Sequence, residues 1–127
     1  MSITYKYNPQ KGAIYAAIEG LITFEDFQLT LASITEVEDI PPNTRILWDL
    51  RKMDFSNIDW DFSKELVKIR ALNPKRATSK VALIAENEVD YGITEMHVLQ
   101  SNKQPDLMRA FRNYDEGERW LLGLEEY

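Results

Sequence analysis

Cysteine is missing from the 127-residue chain, and histidine occurs once. The first absence excludes disulfides, thiolate nucleophiles and cysteine-held zinc or iron–sulfur centres. The second leaves no imidazole set for zinc, and no acid or nucleophile is tied by spacing to the lone His97. Lying one turn after Ile93, His97 reads as a helix-face residue near the edge of the core. Only five glycines are present, and no Gly-x-Ser-x-Gly, glycine-rich phosphate loop or His-Glu-x-x-His occurs, so no cofactor is expected. No apolar run approaches the roughly 20 residues that span a bilayer. The opening MSITYKYNPQKG lacks the charged-then-apolar layout of a signal peptide. The expectation is a cytoplasmic protein with no integral membrane segment. Basic charge is also scarce: the formal net charge of −6 opposes binding to a phosphate backbone, so nucleic acid is not an expected partner. Lys75–Arg76, helped by Lys80, is the one basic cluster, and it reads as a solvated helix end.

What the chain does have is the composition of a soluble globular protein, with 44% hydrophobic and 28% charged residues. Its length suits one domain over residues 1–127 with a single core. Three nearly unbroken apolar runs, Ala13–Gly20, Arg45–Leu50 and Lys80–Glu86, read as central parallel strands. Leu107–Asn113 is more mixed and suits an edge. Ahead of them Ile3, Tyr5 and Tyr7 alternate with polar residues, predicting a half-exposed strand, and Asn8–Gly12 predicts a hairpin turn.

After each of the four runs comes a helix start signal. Thr23 precedes Asp26 by three residues, as Ser56 does Asp59, Asn87 does Asp90 and Asn113 does Glu116. In each pair an oxygen can accept from a free first-turn amide, and a carboxylate lies close to the positive end of the helix dipole. Stripes at helical spacing follow: Phe24, Phe27, Leu31 and Ile34; then Ile58, Phe62, Leu66, Ile69 and Leu72; then Val89, Ile93 and Met96; then Tyr114, Gly117, Leu121 and Leu124, flanked by Trp120. Pro41–Pro42 bars any continuation of the first helix. The order is β-β-α-β-α-β-α-β-α, an α/β fold with a mixed, mainly parallel five-stranded sheet and four helices.

This order, with Glu19–Phe27, Ile46–Phe55, Ser79–His97 and Arg109–Leu121, resembles the STAS or SpoIIAA-like superfamily. Within it the chain looks like the small stand-alone bacterial proteins related to the Sec14 lipid-binding fold. The resemblance implies a β-α superhelix and a regulatory or protein-interaction role without catalysis. Classical STAS proteins antagonise anti-sigma factors and carry an Asp-Ser-Ser-Gly-like phosphorylation motif at the second helix. Here Asp54-Phe55-Ser56-Asn57 stands in that place, so only Ser56 matches a phosphoacceptor and the small residues and glycine after it are missing. Sec14-like relatives hold lipid in an apolar cavity, which gives the alternative of a carrier or sensor of a small apolar ligand.

Six residues form the candidate regulatory, partner or ligand surface: Asp49, Arg51, Phe55, Ser56, Trp60 and Tyr91. Asp49 and Arg51 lie where ligands of parallel sheets sit, beyond the strand ends. With Asp54, Glu86 and Glu88 nearby they could gather oxygen ligands for a divalent cation, or Asp49 could simply pair with Arg51 or Lys52. Ser56 reads first as a helix cap, since the acidic residues around it would repel an added phosphate. Trp48, Phe55, Trp60 and Tyr91 read as core or as an apolar binding patch. Helices wound in sequential order would cover one face of the sheet, leaving the other for a ligand, a protein partner or a homodimer.

Overall fold

The computed structural model describes residues 2–101 and 107–124. Strand β1 (Ser2–Asn8) turns into β2 (Ala13–Gly20), followed by α1 (Phe24–Glu36), β3 (Arg45–Met53), α2 (Trp60–Ala71), β4 (Val81–Ile84), α3 (Glu88–Gln100), β5 (Met108–Phe111) and α4 (Tyr114–Leu121). The sheet order is β1-β2-β3-β4-β5, with β1 antiparallel to β2 and every other pairing parallel. Gly12 closes the hairpin at φ 62, a left-handed conformation that glycine adopts without a Cβ penalty. Among the described residues, no helix is long and apolar enough to cross a membrane.

The two-residue period of the strands sorts the apolar side chains into two cores. Ile14, Ala16 and Ile18 of β2, Ile46, Trp48 and Leu50 of β3, and Val81 and Leu83 of β4 form the larger one, joined by Leu31 and Ile34 of α1. Phe62 and Ile69 of α2, with Tyr91, Ile93 and Val98 of α3, pack against it. Ala13, Leu47, Ala82, Ile84 and Phe111 point the other way and meet Trp120 and Leu121 of α4. The expectation that the helices share one face is therefore corrected: α1, α2 and α3 cover one side and α4 covers the other. Gly117 makes the second packing possible, since a Cβ there would run into Ile84 Cδ1.

Three helix starts fall where the spacing predicts. Thr23, Asn87 and Asn113 accept from the amides of Asp26, Asp90 and Glu116 at 3.1, 2.8 and 3.0 Å. Ser56 does not cap α2. That position belongs to Asp59, whose Oδ1 accepts the Phe62 amide at 2.8 Å. Ser56 instead gives its own amide to Asp54 Oδ1 at 2.9 Å, and the Ile58 amide bonds the Phe55 carbonyl, so a turn precedes the helix. Leu72, Val89 and Leu124 are exposed despite their helical spacing. Leu72 is the C-cap of α2, Val89 lies in the first turn of α3, and Leu124 follows the end of α4, so none reaches the sheet.

Candidate functional site

Between the sheet and α2–α3 lies a cavity of about 80 Å3, walled by Trp48, Leu50, Phe55, Leu66, Leu83 and Met108 among others. Besides the Trp48 indole, three of its lining residues carry polar groups: Arg70, Thr94 and His97. The Thr94 hydroxyl is satisfied within α3, donating to the Asp90 carbonyl at 2.8 Å. Helical spacing explains how the other groups reach the interior. Ser63, Leu66 and Arg70 lie three and four residues apart, on one face of α2. Arg70, near the end of α2, lines the cavity together with Val81 and Met108, the first residues of β4 and β5.

Ser63 is fully buried and joins α2 to α3. Its hydroxyl donates to Gln100 Oε1, so the 2.8 Å contact with His97 is the Nδ1–H donating to Ser63 Oγ. Gln100 in turn donates to the Trp60 carbonyl at 3.0 Å. Burial, with the Arg70 guanidinium as a lesser cause, pushes the His97 pKa down to about 4, against the hydrogen bond to Ser63. His97 is therefore neutral at pH 7; expected on a helix face near the edge of the core, it lines the cavity from α3.

Arg70 is the unusual wall residue. One Nη donates to the Ala77 carbonyl at 3.3 Å, whereas its Nε is buried with no hydrogen-bond partner. Burial lowers its pKa. Arg76 lies close enough to feel Arg70, and burial first, then that repulsion, push the Arg76 pKa down to about 10. Arg76 is 2% exposed, so the reading of Lys75–Arg76 as a solvated helix end is corrected for Arg76. Its Nε donates to the Lys75 carbonyl at 2.9 Å and its Nη1 is buried and unpartnered. Lys80 reaches the Trp120 carbonyl at 2.7 Å. Among the described residues no carboxylate forms an ion pair with Arg70 or Arg76.

The six expected surface residues are not brought together. Phe55 is buried and lines the cavity. Tyr91 packs from α3 against the same core, its hydroxyl pKa raised by burial and then by its hydrogen bond to Glu95. Trp60, in the first turn of α2, is 57% exposed. Ser56 lies in the turn before that helix.

Asp49 and Arg51 belong to the other face. The β2–β3 register shifts after Ala17–Asp49, and a bulge of this kind re-aims side chains. Asp49 Oδ1 accepts the Arg51 amide at 3.1 Å and its Nε at 2.9 Å, while Oδ2 takes Nη2 at 2.8 Å. That fork, led by the side-chain hydrogen bond, holds Asp49 below the usual carboxylate range. Arg51 also lies 5.0 Å over the Tyr114 ring and 3.9 Å from Glu86. Nearby, Tyr15 donates to Glu118 at 2.6 Å. These groups satisfy one another, so the junction is a corner of the fold. Among the described residues no three of Asp, Glu and His converge to hold a metal ion.

Reading the sequence alone missed Ser63, Arg70 and Gln100, and misplaced Arg76. The available signal was Arg70 standing on the buried face of α2, where a solvated cation has no place.

The geometry can be set beside known proteins. The crystal structure of an uncharacterized protein of the DUF3478 family with a SpoIIAA-like fold, from Shewanella loihica PV-4, matches with a TM-score of 0.59 and 19% identity, over 94% of this chain and 92% of that one. The likeness shows the STAS/SpoIIAA-like fold implied by the sequence resemblance. No protein-family model and no curated protein matches the chain.

Proposed function

We propose that the chain, acting as one cytoplasmic domain over residues 1–127, is a non-enzymatic binding module that carries or senses a small apolar molecule. The apolar cavity between the sheet and α2–α3 carries this reading. Pockets of this kind, mostly apolar with a few convergent polar groups, are the usual form of small-molecule sites. The buried state of Ser63, whose proton is committed to Gln100, supports a role without nucleophilic chemistry.

The test is a thermal titration with 3-methylbutan-1-ol, an uncharged molecule of suitable size. At ten times its dissociation constant the alcohol should raise the melting temperature by about 3–6 °C. Ile93→Phe, which fills the cavity from α3, should remove the rise while leaving the circular dichroism of the wild type. No rise in the wild type at any concentration short of denaturation would sink the reading.

A second reading, a regulatory interaction module that docks a protein partner or a second copy of the chain, is favoured by Trp60. A large aromatic this exposed at a helix start is a common anchor of interfaces. If Trp60 anchors self-association, sedimentation should show dimers that weaken at least tenfold in Trp60→Ser. A monomer at all concentrations would remove the homodimer.

A further inference from the structure

The cavity and the two arginines behind it belong to one arrangement. Arg70 lines the cavity and its Nε is buried without a partner, and Arg76, 2% exposed, holds a second unpartnered nitrogen within electrostatic reach. Burying a cation without a counter-charge is costly, and the cost rises when a second, partly buried cation beside it repels it. Helix ends tolerate such groups in water, where the charge is solvated. Here the solvent-facing role falls to Lys75, Lys64 and Lys68, which are exposed. A fold that keeps guanidinium nitrogens inside gains if an anion completes them, because charge-assisted hydrogen bonds in a low-dielectric site are the strong ones.

The rest of the wall is hydrocarbon. His97 beside Arg70 is neutral, with its Nδ1–H engaged by Ser63, so it adds no second charge that would select a dianion.

We infer that the cavity takes a short, straight or branched monocarboxylic acid, its hydrocarbon end against Trp48, Leu66 and Leu83 and its carboxylate on the Arg70 guanidinium. The inference rests on the proposed cavity-binding role and names the ligand class for it. The carboxylate supplies the missing counter-charge, and Arg76 adds positive potential from behind. An alcohol of the same shape fills the space but leaves the guanidinium without its counter-charge. Acetate supplies the charge but little hydrocarbon.

The experiment compares 3-methylbutanoate, 3-methylbutan-1-ol and acetate by isothermal calorimetry at constant ionic strength. In the wild type the branched acid should bind at least tenfold tighter than the alcohol and at least thirtyfold tighter than acetate. Arg70→Gln should bring the acid-to-alcohol ratio to one or below, while Ile93→Phe should weaken both ligands. The wild-type ratios stand as a test even where Arg70→Gln fails to fold. Equal binding of alcohol and acid overturns the charge-selective inference and leaves the cavity reading standing. Acid binding unchanged in Arg70→Gln, or acetate as tight as the branched acid, also overturns it. Binding of neither branched molecule overturns both.

Discussion

Leu121→Ala should cost about 3–4 kcal/mol of unfolding free energy, more than half the stability of a marginal protein. The size of the effect follows from the shortness of α4. Its eight residues, Tyr114–Leu121, are too few to persist as a helix in water, where the cost of nucleation is recovered only over longer segments. The helix therefore depends on what it packs against. Leu121 is fully buried among Ala13, Leu47, Ala82 and Ile84, and the Phe111–Trp120 rings meet at 5.6 Å. Arg45 and Lys80 hold its last carbonyls, at Leu121 and Trp120. Truncating Leu121 removes the central anchor from the second face of the sheet. Small strand side chains such as Ala13 and Ala82 cannot move far enough to close the space.

Urea denaturation should show the loss as a lower midpoint with little change in slope. The control is Leu124→Ala. Leu124 lies on the same helical stripe in the sequence but is 61% exposed, so its truncation should stay within about 0.5 kcal/mol. Equal effects of the two substitutions would mean that α4 does not seat on the sheet through Leu121.

This contrast shows what the sequence could and could not carry. Strand order and the alternation of α and β follow from local signals, since a capping oxygen acts within three residues and an apolar run is visible as a run. Thr23, Asn87 and Asn113 cap helices for that reason. Ser56 failed by the same local physics. Two oxygen-bearing residues stand three apart, and the carboxylate of Asp59 holds the free amide while Asp54 occupies the Ser56 backbone in a turn. Periodicity alone could not separate Leu121 from Leu124, because the end of α4 decides which of them touches the sheet.

The cavity lay further out of reach. Its walls come from β2, β3, β4, β5 and three helices or their flanking turns, and a volume left between elements has no sequence pattern. The pairing of Asp49 with Arg51 was one of the readings the sequence allowed, and the register shift against β2 accompanies it in the structure. Arg76 looked solvated because Lys75 precedes it. Its burial comes from the turn after α2, where its amide bonds the Asn73 carbonyl and its own carbonyl accepts the Ser79 hydroxyl at 2.8 Å.

Lowering the pH from 7 to 4.5 should remove most of about 3 kcal/mol of stability through His97 alone. In the folded chain its pKa is about 4, against 6.5 for an ordinary histidine, and each unit of difference is worth about 1.4 kcal/mol. The cause is burial first and the Arg70 charge second. The sign follows from proton counting. Between pH 6.5 and 4 the unfolded chain binds a proton at His97 that the folded chain does not, so stability falls as the pH falls. The contribution is complete above about pH 6.5 and gone once the pH drops through about 4. The charged groups facing the ring from neighbouring turns do not confuse this window. Arg70 keeps its charge throughout, and Ser63 and Gln100 do not titrate. The lowered carboxyls, Asp49 on its Arg51 fork and Asp54 on the Ser56 amide, lose their contributions only at more acidic pH.

His97→Gln keeps a side-chain donor for Ser63 Oγ but cannot take up a proton. Its stability at pH 7 should be lower by about 1 kcal/mol, for an imperfect hydrogen bond, and nearly constant down to pH 4.5. Wild type and variant should thus converge and then cross as the medium is acidified, measured by urea midpoints at half-unit intervals. Parallel profiles would show that His97 carries its proton in the folded chain, which burial and the adjacent guanidinium both oppose.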